Sequence, residues 1–178
     1  YVATPVYIAA RILNIPIALH EANSIPGLAN RVGRKWAKVV AVFNPIKGWE
    51  NQHVVGFPMR DSITESAKLS GQKLVLAKGE ARKELELPSE GRVLLVMGGS
   101  LGSQQINNAV IEIVSALNQA NIYVLHLVGT GKSTTTERFD SANYRQIAYL
   151  VNMESAYLAA DFVISRAGAG TCAEIEAM

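Results

Sequence analysis

The sequence predicts an α/β protein with parallel sheets, carrying parts of two such units in one chain. Short apolar runs of strand length alternate with helix-length amphipathic stretches along the 178 residues. Two glycine-rich turns, Gly98-Gly99-Ser100-Leu101-Gly102 and Gly168-Ala169-Gly170, each follow a strand-like run and precede a helix-like one. The run at residues 92–97 is apolar from Val93 onward without alternation, the pattern of a strand covered on both faces. Strands joined by helices in this order make right-handed crossovers and present their ligand sites at the carboxyl ends of the strands.

Thr4 followed by Pro5 starts a helix over residues 4–13, with proline at the first helical position and Asn14 as the turn residue. Residues 15–19 are then a short buried strand, 27–36 a helix, 39–43 a strand, and 53–55 a further extended piece. From Gly56 to Leu69 the pattern loosens into a polar stretch, expected to be an interdomain linker. A short helix over residues 80–87, closed by Pro88, leads to the strand at 92–97. After the glycine turn, Ile106, Val110, Ile113, Val114 and Leu117 form one apolar stripe on a helix ending near Ala120. The rest reads as strand 122–128, an extended piece at 146–149, helix 153–159, strand 162–165 and a helix beginning at Thr171. The expected division is residues 1–60 for one domain, 61–90 for the linker and first helix of the next, and 91–178 for the remainder of that second domain. The opening helix has no strand before it. The second unit has about four strands against about six in a complete doubly wound sheet, and Met178 falls inside a helix, so both ends are expected to be interior to a longer protein.

Composition narrows the classes. With 49% hydrophobic and 18% charged residues the chain can bury a core, and a net charge of +2 gives no ground for a nucleic-acid partner. Cys172 has no second cysteine to pair with, which suits a reducing compartment such as the cytoplasm. The longest apolar runs are strand-length, so any membrane contact is expected to be peripheral.

Several residue groups carry chemistry. The turn from Gly98 to Gly102 can face backbone N–H groups and the Ser100 hydroxyl toward an anion, with a helix dipole behind them; a tight turn needing glycine geometry is the competing reading. Gly129-Thr130-Gly131-Lys132-Ser133 ends like a phosphate-binding P-loop but has His126 where the motif requires its first glycine, so a surface loop with Lys132 near a ligand edge is expected instead. Glu174 has two open readings. With Thr171 it fits a capping box, and beside a nucleotide site its carboxylate can accept ribose hydroxyls. His20, Glu21 and Asn23 follow the first strand, where a His–Glu pair is either a general base or a structural hydrogen-bond group. Arg60, just past Gly56-Phe57-Pro58, is either a ligand-facing cation or a solvated linker charge. Arg31, Arg34, Lys35 and Lys38 surround Trp36, a pattern shared by solvated helix faces and by surfaces that rest on anionic lipid.

Taken in order, Tyr1-Val2 with Pro5, His20-Glu21-Ala22-Asn23 with Pro26-Gly27-Leu28-Ala29-Asn30, Val55-Gly56-Phe57-Pro58-Met59-Arg60, Gly98-Gly99-Ser100-Leu101-Gly102, and the segment from Ser165 through Glu174 resemble the MurG family of bacterial glycosyltransferases over nearly the whole chain. The resemblance implies a GT-B fold of two Rossmann-like domains with parallel sheets. Residues 1–60 would belong to the acceptor domain and 91–178 to the donor domain. It implies UDP-N-acetylglucosamine as donor substrate, no further cofactor and no metal. The acceptor it implies is the 4-hydroxyl of a lipid-linked N-acetylmuramyl-pentapeptide at the cytoplasmic face of the plasma membrane, used in peptidoglycan synthesis with inversion at the anomeric carbon. Gly99, Ser100 and Leu101 would contact the donor near its diphosphate and sugar, Arg60 the diphosphate, Leu150 the uracil and Glu174 the ribose, while His20, Glu21 and Asn23 would lie on the acceptor side. The family's candidate base would lie before Tyr1 and its glutamine-bearing sugar-binding segment after Met178, so the chain alone is expected to be inactive. A related GT-B enzyme with another acceptor and a non-catalytic UDP-sugar-binding subunit are the alternatives.

Overall fold

The computed structural model of the chain describes residues 2–132 and 143–178; Tyr1 and Ser133, both named in the sequence motifs, lie outside them. The chain folds as two compact units, Tyr1–Pro58 and Met59–Met178.

The first unit holds helices α1 (Ala3–Ile12) and α2 (Leu28–Gly33) and a parallel sheet of β1 (Ile17–Glu21), β2 (Ala37–Val42) and β3 (Gln52–Val54), in the order β1-β2-β3. Strand β1 begins later than its apolar run suggests. Asn14 takes a left-handed φ of 54° and the Ile15 amide reaches back to the Ala10 carbonyl at 2.8 Å, so Ile15 closes α1. Leu19, Val42, Ile46 and Trp49 form the core of this unit, and the Arg34 guanidinium lies 5.1 Å from the Trp49 ring centroid.

The second unit holds α3 (Asp61–Ser66), α4 (Gly71–Glu84), β4 (Arg92–Met97), α5 (Gln104–Gln119), β5 (Ile122–Leu127), β6 (Tyr144–Ile147), α6 (Met153–Ala159), β7 (Phe162–Ser165) and α7 (Ala169–Ala177). Its four-stranded parallel sheet has the order β6-β5-β4-β7. The central strands are covered on both faces, and their side chains sort by parity. Val93, Leu95, Met97, Leu125 and Leu127 pack with Ile63, Ala81, Leu85, Ala156, Tyr157 and Ala159 on one face. Leu94, Val96 and Val124 pack with Val110 and Val114 of α5 on the other. Each fully buried valine here contributes about 1.5–3 kcal/mol relative to exposure.

Two expectations are corrected. The polar stretch read as linker contains α3, because Ile63 is fully buried in the core of the second unit and anchors a helical turn there. Helix α4 starts at Gly71, ahead of residue 80. Its buried residues are confined to Ala81 and Arg82 near its end, while Leu74, Val75 and Leu76 are exposed, so no apolar stripe marks its first half. It ends where Glu86 takes φ 51° and the Leu87 amide bonds the Arg82 carbonyl at 2.8 Å.

The order β6-β5-β4-β7 places a topological switch between β4 and β7. From β4 the chain moves through α5 to β5 and onward to β6, then returns to the other side of β4 as β7. The loops after β4 and β7 therefore diverge and leave a crevice at the carboxyl edge, where open parallel sheets bind ligands.

Candidate functional site

A cleft of about 200 Å³ occupies that crevice. The loop after β4 contributes Gly99 and Ser100, the loop after β5 contributes Gly129, and the segment after β6 contributes Ala148, Tyr149 and Leu150. Thr171 and Glu174 of α7, Tyr157 of α6 and Arg60 complete the polar part of the wall.

The glycines here answer to contact as much as to conformation. Gly102 has φ +68°, and a Cβ on it would lie 2.0 Å from the Val128 carbonyl oxygen; the Gly129 backbone packs against it from the other loop. Lys132, expected in a solvent-exposed loop, is half-buried and donates from Nζ to the Gly102 carbonyl at 3.0 Å, tying the two loops together. Gly99 has φ +85° with open space around it, so only its backbone conformation favours glycine. Ser103 caps α5 by accepting from the Ile106 amide at 3.5 Å, which starts that helix directly after the loop.

Glu174 is not part of a capping box. Helix α7 begins at Ala169 behind Gly168, so Thr171 is already inside the helix and Glu174 lies in its second turn. Its Oε1 accepts from Arg60 Nη2 at 2.9 Å and its Oε2 accepts from the Tyr157 hydroxyl at 2.8 Å. Burial of Tyr157, followed by its bond to the Glu174 carboxylate and that group's charge, pushes the phenol well above its ordinary pKa, so it stays a donor.

Of the donor-side residues expected from the sequence, the cleft brings together Arg60, Gly99, Ser100, Leu150 and Glu174. Leu101 is 76% exposed and outside the lining. Tyr157 had no distinguishing signal, since a tyrosine on an amphipathic stretch reads as core and its partner lies 17 positions away.

Below the floor, His126 is fully buried on β5. Asn107 of α5 donates its amide Nδ2–H to the Val128 carbonyl at 3.0 Å, so its Oδ1 faces His126 Nε2 at 3.1 Å, and that nitrogen carries the proton. The other ring nitrogen accepts from the Tyr144 hydroxyl at 2.9 Å. Burial lowers the imidazole pKa to about 4.

In the first unit the structure gives the His20–Glu21–Asn23 group a clear division of labour. Glu21 is buried at the end of β1 and accepts from four donors: the Asn23 amide at 3.0 Å, Asn23 Nδ2 at 2.9 Å, the Gly27 amide at 3.0 Å and Asn30 Nδ2 at 3.0 Å. Burial by itself raises its pKa, but these bonds outweigh it and hold the carboxyl below the usual range. With both oxygens occupied and its proton affinity lowered, Glu21 shapes the loop and is a poor base. His20 Nε2 lies 3.0 Å from the Gly56 carbonyl and donates to it, with the ring edge-on to Phe57. Asn23 is exposed at the loop. In the basic run Arg34 is drawn onto Trp49, whereas Arg31, Lys35 and Lys38 are exposed or half-exposed near Trp36.

Among the described residues no group of three or more His, Cys, Asp and Glu side chains gathers to hold a metal, and no helix is long and apolar enough to cross a membrane.

Residues 93–178 match the family model of the glycosyltransferase family 28 C-terminal domain, and residues 1–42 match that of the family's N-terminal domain. This chain belongs to glycosyltransferase family 28. Within the family it is 41% identical over 181 aligned residues, covering 100% of the chain, to a Paenarthrobacter aurescens protein named UDP-N-acetylglucosamine–N-acetylmuramyl-(pentapeptide) pyrophosphoryl-undecaprenol N-acetylglucosamine transferase. It is 43% identical over 184 residues, again covering 100% of the chain, to a protein of the same name from Mycobacterium sp. strain KMS. The crystal structure of Acinetobacter baumannii MurG superposes with a TM-score of 0.60 at 25% identity, covering 96% of this chain and 46% of that one. The family 28 chain spans about half the length of the curated relatives it matches, 47% in both cases. Its parallel α/β units agree with the GT-B architecture of that MurG structure.

Proposed function

We propose that this chain is part of an enzyme that transfers N-acetylglucosamine from UDP-N-acetylglucosamine to the 4-hydroxyl of a lipid-linked N-acetylmuramyl-pentapeptide, with inversion and without a metal. The observation that carries the reading is the convergence of Arg60, Gly99, Ser100, Leu150 and Glu174 on one cleft at the carboxyl edge of a parallel sheet, in a chain of a glycosyltransferase family. Met59–Met178 is then a donor-binding portion and Tyr1–Pro58 a portion of the acceptor domain.

In this reading Leu150 meets the uracil and Glu174 accepts ribose hydroxyls. Arg60, the Ser100 hydroxyl and the backbone of Gly99 and Leu101 face the diphosphate and sugar, with the N-terminus of α5 behind them. The acceptor oxygen bonds to the anomeric carbon as the bond from that carbon to the diphosphate oxygen breaks. The electron pair leaves on UDP and a general base takes the hydroxyl proton. Donors aimed at the diphosphate stabilise the charge that develops there. His20 and Asn23 lie on the acceptor side, on a loop held by Glu21. Arg31, Lys35, Lys38 and Trp36 are the proposed contact with an anionic membrane surface at the cytoplasmic face.

Calorimetric titration with UDP-N-acetylglucosamine, UDP-glucose and ADP tests the donor assignment. The expected result is uridine-selective binding that Glu174→Ala weakens about tenfold or more, the scale of a lost hydrogen bond to a charged group. ADP binding as tightly as the uridine nucleotides, or an unaffected Glu174→Ala, overturns it.

A further inference from the structure

We infer that Tyr157 is a positioning residue that sets the ribose specificity of this cleft, by holding one oxygen of Glu174 so that the other is delivered to the sugar hydroxyls. The inference rests on the reading of the cleft proposed above. The two oxygens of Glu174 are held asymmetrically.

Oε2 is bound from the protein interior. Tyr157 is 7% exposed, its ring belongs to the hydrophobic core on the α6 face of the sheet, and its hydroxyl reaches Oε2 at 2.8 Å. A tyrosine has two side-chain torsions and here both are fixed by packing, so its hydroxyl is a stationary donor. Oε1 is bound from the solvent side by Arg60, whose side chain is 48% exposed and free to exchange partners. A nucleotide entering the cleft can displace the arginine from Oε1 but not the tyrosine from Oε2.

Anchoring on one side only sharpens selectivity on the other. A glutamate side chain without an anchor loses rotamer entropy when a ligand orders it, and that loss offsets much of the gain from a hydroxyl contact. With Tyr157 in place the carboxylate is ordered beforehand, so the bond to a ribose hydroxyl appears in full as discrimination against a nucleotide that lacks it. Tyr157 itself touches no substrate atom and acts through Glu174.

The test is a pair of titrations, UDP and 2′-deoxy-UDP, into the unaltered chain, Tyr157→Phe and Glu174→Ala. The preference for UDP is a ratio of two dissociation constants measured on one preparation, so any unfolded fraction cancels. The expected preference is about tenfold or more for the unaltered chain, about threefold or less for Tyr157→Phe, and none for Glu174→Ala. A Tyr157→Phe protein that keeps the full preference, or that loses affinity for both nucleotides equally, overturns the inference and leaves Tyr157 a core residue. If Glu174→Ala also keeps the preference, or the unaltered chain binds neither nucleotide, the reading of the cleft itself fails and the inference falls with it.

Discussion

Arg60 Nη2 and Glu174 Oε1 form an ion pair of 2.9 Å between residues 114 positions apart, and both side chains line the same cleft. Half of the arginine is solvated, so the pair contributes at most about 0.5 kcal/mol to folding. It keeps both charged groups facing the cleft, where the proposed function uses the cation for the diphosphate and the carboxylate oxygen for the ribose. Arg60→Ala is therefore expected to shift the unfolding midpoint by no more than about 2 °C while weakening UDP binding about tenfold. Uridine, which has no phosphates, should bind the variant as well as it binds the parent chain. Equal losses for UDP and uridine would assign Arg60 to the nucleoside instead.

Two glycines of the β4 loop, Gly99 and Gly102, should respond differently to the same substitution. Gly102→Ala places a methyl group 2.0 Å from the Val128 oxygen in a backbone already at φ +68°, and neither loop can retreat without breaking the Lys132 tie. A loss above about 3 kcal/mol is expected by urea denaturation. Gly99→Ala meets nothing, so only the left-handed conformation counts, at about 1–2 kcal/mol. Similar losses at both sites would mean that contact between the loops is unimportant.

His126 makes stability depend on pH in a specific window. Its folded pKa of about 4 lies below the ordinary 6.5, so between those values the unfolded chain binds a proton that the folded chain refuses. Stability contributed by the neutral imidazole is present above about pH 6.5 and declines as the pH falls toward 4, by about 3 kcal/mol in total. Urea unfolding at pH 7 and pH 4.5, compared between the parent chain and His126→Gln, isolates this contribution from that of the carboxylates. An equal decline in both proteins would exclude it.

Glu21→Gln tests whether that carboxylate is structural. Asn23 donates twice to one oxygen, and Gly27 and Asn30 donate to the other, so an amide NH₂ faces two donors in either orientation. A loss of about 2–3 kcal/mol is expected in the first unit. Both tryptophans, Trp36 and Trp49, belong to Tyr1–Pro58, so tryptophan fluorescence reports that unit selectively. An unchanged fluorescence transition would show that the loop does not depend on the charge.

Much of this protein was legible in one dimension. Strands 92–97 and 162–165 and helix 153–159 occupy the residues that their apolar patterns indicate, because a short apolar run bounded by turn residues marks an element locally. The glycine loops were equally visible, since tight strand-to-helix turns restrict residue type locally. The parallel α/β class and the resemblance to a glycosyltransferase family follow from such local signals, read in order.

Tertiary structure alone decided the rest. Helix α3 hides in a polar stretch because one residue, Ile63, provides its burial, and a single anchor has no period. The strand order that leaves a crevice between β4 and β7 depends on where the chain crosses, which no local preference encodes. The triad of Arg60, Tyr157 and Glu174 comes from α6, α7 and the residue before α3, and side chains so far apart in sequence meet only once the sheet has brought their elements to one edge. Spacing in the sequence allowed Glu174 to cap a helix or to bind a ligand. Packing excluded the cap by starting α7 at Ala169, which removes the carboxylate from the first turn and leaves it lining the cleft.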